Sequence, residues 1–102
     1  MFIHHVFFWL KVDLTQLEKD KFKTGLVSLT QIENIKSSHI GVPASTNRHV
    51  IDTSYSYSLL LIFENAQEEE IYQAHPIHLN FVAECASLWD KVAVFDSIDD
   101  TI

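Results

Sequence analysis

Two stretches of this chain are apolar on both faces of an extended backbone, and nothing else limits its possible folds as tightly. Phe2 to Leu10 sets Ile3, His5, Phe7 and Trp9 on one side and Phe2, His4, Val6, Phe8 and Leu10 on the other. Ser54 to Phe63 sets Tyr55, Tyr57, Leu59, Leu61 and Phe63 on one side, while Leu60 and Ile62 leave the opposite side apolar too. Successive side chains of a strand point to opposite faces. Each run therefore reads as a strand buried on both sides, in a sheet that needs cover on both faces.

The rest of the chain supplies helices for one of those faces. Asp13 with Gln16, or Thr15 with Glu18, offers a capping-box start. Leu14, Leu17, Phe22, Leu26, Leu29 and Ile32 then recur at near-helical spacing against Glu18, Lys19, Asp20, Lys21 and Lys23. A weakly strand-like segment follows and closes at Gly41-Val42-Pro43, and residues 44–53 read as a polar loop. Glu68-Glu69-Glu70 forms an acidic helical turn, favoured near a helix N-terminus and read as a solvated cap rather than a cation site. Pro76 to Trp89 is the second main helix, with Leu79, Val82, Ala83, Ala86 and Trp89 expected inward.

Strands are thus expected near residues 2–10, 36–42, 54–63 and 91–97, in one domain spanning 1–97 with a polar tail at 98–102. The order β-α-β-β-α-β is the α+β, ferredoxin-like split unit, an antiparallel sheet with two helices on one face. We expect Ile3, His5, Phe7 and Trp9 to meet the helices. The open face would then carry Phe2, Val6, Phe8, Leu10, Leu60 and Ile62, with His4 as an interface residue. So much contiguous apolar surface is unusual for a monomer, which predicts a homodimer through the open sheet face.

Composition narrows the function classes. A chain of 102 residues makes one domain, able to bury roughly 60–65% of its unfolded surface. Its 47% hydrophobic content exceeds the needs of a small solvated domain and points the same way as the dimer. A net charge of −7 with seven Lys and Arg argues against nucleic acid as a partner, and against an anionic membrane surface. No apolar run approaches the roughly 20 residues of a membrane span, and the Met1–His5 start lacks the features of a signal peptide. The single Cys85 lies in an apolar helical pattern and reads as a small core residue. With no disulfide framework, the expected location is the cytoplasm. Gly25 and Gly41 are the only glycines, so no phosphate-binding loop is present and no cofactor is expected.

The chemistry concentrates in Tyr72-Gln73-Ala74-His75-Pro76-Ile77-His78-Leu79-Asn80-Phe81. Proline fits the first turn of a helix and not its interior. Pro76 therefore starts the helix that carries His78, and Tyr72 ends the piece before it. The chain bends between them and brings a phenol towards an imidazole, a proton-transfer pair. The alternative is that His75 and Tyr72 only fix the bend while His78 is a core histidine. His75 and His78 lack a third ligand at zinc spacing and Pro76 separates them, so no metal is expected. Trp9, Trp89 and Phe95 read as core and interface rather than as a ligand cage.

The ordered set of His5-Val6, the long helix, Gly41, a tyrosine-rich strand ending Phe63-Glu64, Tyr72-x-x-His75-Pro76-x-His78-x-x-Phe81 and Val94-Phe95-Asp96 resembles the stress-responsive dimeric α/β-barrel domain (Dabb) family over essentially the whole chain. The resemblance implies a homodimer of ferredoxin-like units closing a barrel. Most members have no assigned activity; some plant members are cofactor-independent polyketide cyclases that close a poly-β-keto chain by aldol chemistry. A tyrosine and a histidine of this motif transfer protons in those members, matched here by Tyr72 and His78. A first-strand histidine lining their pocket is matched by His5. Their further histidine on the central strand is replaced by Tyr57, which can donate and accept but, with a pKa near 10, is no substitute for an imidazole base at neutral pH.

The candidate set is thus His78 and Tyr72 for catalysis, and His5, Tyr57, His75, Phe7, Trp9 and Phe81 for ligand binding. His78 has an ordinary pKa of about 6.5, suited to a general base, and Tyr72 can hold an enolate or alkoxide oxygen. Two functions remain open. One is a dimeric module that binds a small hydrophobic molecule; the other is a cofactor-independent enzyme of cyclase or lyase type.

Overall fold

A computed structural model describes residues 1–101; Ile102, the end of the stretch read as a tail, lies outside the described residues. Four strands, β1 (Phe2–Leu10), β2 (Ser37–Gly41), β3 (Tyr57–Phe63) and β4 (Trp89–Ile98), form one antiparallel sheet in the order β2-β3-β1-β4. Three helices, α1 (Gln16–Leu29), α2 (Ala66–Ala74) and α3 (Pro76–Cys85), complete the ferredoxin-like fold. The acidic turn proves to be a full helix, α2. The last helix stops at Cys85, and a short 3₁₀ turn over Ala86–Leu88 delivers the chain to β4, which begins at Trp89. β4 also runs one residue into the stretch read as tail.

Local chemistry sets the boundaries. Thr15 caps α1: its hydroxyl accepts from the Glu18 N–H while the Glu18 carboxylate accepts from the Thr15 N–H, closing a capping box. Asn65 caps α2 by accepting from the Glu68 N–H. His75 ends α2 and caps α3 at once. Its extended backbone, φ −66° and ψ 138°, is the region to which a following proline restricts a residue.

The core lies between the helices and the sheet. Phe22, Leu26 and Leu29 of α1 and Ile32 after it meet Val6 and Phe8 of β1, Leu59, Leu61 and Phe63 of β3, and Phe81 and Cys85 of α3. Fully burying a side chain of this size contributes about 1.5–3 kcal/mol, so this cluster dominates the stability. At Gly25, a Cβ would come within 2.9 Å of Cys85 Sγ and of the Phe81 ring, so α1 and α3 touch through a missing side chain.

Three expectations about orientation are overturned. On β1 it is Phe2, His4, Val6 and Phe8 that face the helices, while Ile3, His5, Phe7 and Trp9 lie on the open face. The strand is apolar on both sides, so alternation defines two faces without saying which one the helices take. The β3 pairing decides it, because Leu59 and Leu61 sit opposite Val6 and His4. On α3, Leu79 and Val82 are exposed and Phe81 and Cys85 point inward. Aromatic volume at Phe81, stacked near Phe8, Phe22 and Trp89, sets that helix's rotation. Leu17 of α1, expected in the apolar stripe, is also exposed.

Candidate functional site

A cavity of about 170 Å³ opens between the sheet and the helices, walled by Val6, Phe8, Leu59, Phe81 and neighbouring apolar side chains. Four rings with polar atoms line it: His4 from β1, Tyr72 from the end of α2, His78 from the first turns of α3 and the Trp89 indole at the start of β4. The break at His75-Pro76 joins the last two, bringing the Tyr72 and His78 rings to 4.8 Å between centroids. His4 meets Tyr72 edge-on at 5.9 Å.

Each ring has its own electrostatic setting. His4 is only 5% exposed, and its Nδ1 lies 2.6 Å from Asp96 Oδ1 and 3.9 Å from Glu69 Oε2. A carboxylate accepts only, so it is Nδ1 that donates to Asp96. Burial pushes the Tyr72 phenol well above its ordinary pKa, and the Glu69 charge adds to the effect; the group is a neutral O–H donor. His78 is held below its ordinary value chiefly by burial, aided by His4; the Gln73 backbone carbonyl and Glu69 act the other way. Its ring is therefore neutral at pH 7. Among the described residues, its Nδ1 is the one buried side-chain polar atom with no hydrogen-bond partner.

The expected residues thus divide into four groups. Tyr72, His78 and Phe81 line the cavity. His75 does not; its Nδ1 accepts from the Ile77 N–H at 3.1 Å and its Nε2 faces Glu33 at 3.6 Å, so it fixes the bend. Tyr57 packs on Phe22 outside the cavity wall. His5, Phe7 and Trp9 are on the opposite side of the sheet, where Phe7 and Trp9 border a separate groove beside Tyr55 and Lys91. The first-strand histidine of the pocket is His4 rather than His5. Sequence reasoning also missed Asp96, which holds His4, and Glu69, which lies near it. One signal pointed to Asp96, namely its place in the closing Val94-Phe95-Asp96, and the β1–β4 register sets it directly opposite His4.

The arrangement offers a neutral imidazole, a phenol donor and a carboxylate-oriented imidazole around a small apolar space. No group of three His, Cys, Asp or Glu among the described residues is placed to hold a metal ion.

The model of the stress-responsive A/B barrel domain matches residues 2–99. The chain belongs to that family. The Dabb fold recurs in solved structures at low sequence identity. A protein from Arabidopsis thaliana superposes with a TM-score of 0.79 at 22% identity, covering 100% of this chain and 98% of that one. A hydroxynitrile lyase from Passiflora edulis gives 0.79 at 20%, covering 99% and 94%. A dimeric ferredoxin-like protein of unknown function from Thermobifida fusca gives 0.75 at 18%, covering 94% and 88%. No curated protein sequence shows a significant match. No helix among the described residues is long and apolar enough to cross a membrane.

Proposed function

We propose that this Dabb protein is a homodimeric binder of a small, mostly apolar molecule that carries a carbonyl or hydroxyl oxygen. The observation behind this is the unpartnered, buried Nδ1 of His78 in the cavity. Buried polar atoms in folded proteins almost always have partners, and an orphan beside a phenol in an apolar cavity is how a site for one oxygen is built. At about 170 Å³ the cavity is smaller than the roughly 300–1,000 Å³ of drug-sized sites, so the ligand is compact. The second copy is inferred from the open sheet face, where Ile3, Phe7, Leu60, Ile62 and Phe95 form an apolar surface, together with the dimeric state of a fold neighbour. The lone Cys85, unpaired and buried, fits a cytoplasmic setting.

The test is titration of the full chain with acetophenone, followed by NMR. Binding should shift the ring resonances of Tyr72 and His78, and His78→Ala should weaken it at least tenfold. Equal binding by His78→Ala would refute the assignment.

One observation favours an enzymatic reading as well: a neutral His78 next to a protonated Tyr72 offers a base and a hydrogen-bond donor to oxygen for proton transfer beside a carbonyl. This reading covers aldol-type cyclisation of a poly-β-keto chain and lyase chemistry of the kind named for the Passiflora neighbour. It predicts that His78→Ala abolishes turnover of a poly-β-keto substrate.

A further inference from the structure

The open face of the sheet carries a row of histidines that the pocket does not use. The strand register aligns His39 of β2, Leu60 of β3, His5 of β1 and Phe95 of β4 across the sheet. His5 lies half-buried on a central strand between Ile3 and Phe7, its ring 4.4 Å from that of Phe7. The His39 ring folds over Gly41, its Cε1 3.0 Å from where a Cβ would sit, and so lies along the same face.

The other groups on this face leave the histidines without an anion. β3 contributes Ser58, Leu60 and Ile62, none of them ionisable. β4 contributes Ala93, Phe95 and Ser97, with Lys91 at the Trp9 end, where its ammonium lies 4.4 Å from the indole. Asp52 borders the groove at that end, its carboxylate held below its ordinary pKa first by hydrogen bonds from Ser54 and least by Lys91. At the other end Asp99 pairs with the Met1 ammonium at 2.6 Å, and Glu64 with Lys36. Behind the strand stands His4. Burial lowers the pKa of His5 most, followed by the charges of His39 and His4.

We propose that the homodimer is proton-controlled: two copies close their open faces over the His5–His39 row at neutral pH and separate in acid, as His5 takes up a proton. The inference rests on the dimer reading above. A symmetric interface sets the same patch of each copy against the other, so the central strands, and His5 with them, are covered. A charge shut into such a contact without a counter-ion is costly. The dimer therefore binds fewer protons than the separated chains, and association weakens as the pH falls through the value of the free histidine. Each histidine excluded from protonation raises the dissociation constant up to about tenfold per pH unit, so the two copies of His5 give up to about 100-fold.

Sedimentation of the full chain at pH 8, 6.5 and 5, with near-UV circular dichroism to follow the fold, tests this. The expected result is a dimer at pH 8 and folded monomer at pH 5. His5→Leu should stay dimeric at pH 5, and the double variant His5→Gln, His39→Gln should lose the pH response. A wild-type dimer intact at pH 5, a double variant with unchanged pH dependence, or dissociation only through unfolding would each overturn the inference and leave the dimer standing. A folded monomer at pH 8 would instead remove the dimer reading, and this inference with it.

Discussion

His4 and His5 are consecutive in the chain and live in opposite worlds. His4 is sealed under the helices with a carboxylate at hydrogen-bond distance, whereas His5 lies among apolar side chains on the other face. The two sides of β1 differ in the same way: Val6 and Phe8 are core, Phe7 and Trp9 are open. Chemical kind alone does not assign a role to a residue here. What assigns it is which side of one strand meets the helices, and whether an anion waits there.

Substitutions can test that contrast, starting with the largest effect. Phe8 is 3% exposed within the aromatic cluster, so Phe8→Ala should cost about 3–5 kcal/mol in chemical denaturation. Phe7→Glu, one residue away, should leave the monomer folded and abolish the dimer in sedimentation, because it places a charge in an apolar contact. If Phe7→Glu unfolds the chain and Phe8→Ala does not, the two sides have been assigned the wrong way round.

Asp96→Ala should cost about 1 kcal/mol, since the hydrogen bond to His4 is lost but the carboxylate is already 43% exposed. The corresponding loss at the open face should be absent, as His5 has no such partner. His78→Ala should leave the thermal midpoint nearly unchanged at pH 7.5, because the buried Nδ1 has no hydrogen-bond partner to lose.

The smallest effect is on pH. The folded state holds His78 below its ordinary value, so the unfolded chain takes the proton first as the pH falls. Stability should decline from about pH 6.5 downwards through the lower folded value and then level off. His5 acts in the same direction. Comparing thermal midpoints at pH 7.5 and pH 5 should show a shallower drop for His78→Ala than for the wild type. An unchanged drop would mean that the ring is not sheltered.

Much of this was readable in the residues. The two-sided strands, the capped first helix, the bend at Pro76 and the approach of Tyr72 to His78 all follow from local rules on alternation, capping and proline. The sidedness of β1 does not, because a strand that is apolar on both faces satisfies period two in either orientation; hence His5 stood in for His4. The rotation of α3 was missed for a related reason. Leu79 and Val82 read as core by hydropathy, but the space available was filled by Phe81. Asp96 and Glu69 became visible only through pairing across 92 and 65 positions of sequence respectively, which no local pattern encodes.

The junction at His75-Pro76 has a consequence for how the pocket can change. In an unbroken helix, residues six apart point about 120° away from each other, so Tyr72 and His78 would diverge around the axis and share no cavity. Their meeting is a property of the interruption itself. Any substitution that lets α2 run smoothly into α3 would dismantle the pair without touching either ring. A one-residue insertion or deletion there would turn His78 by about 100° relative to Tyr72. The spacing across this joint should therefore tolerate changes of side chain far better than changes of length.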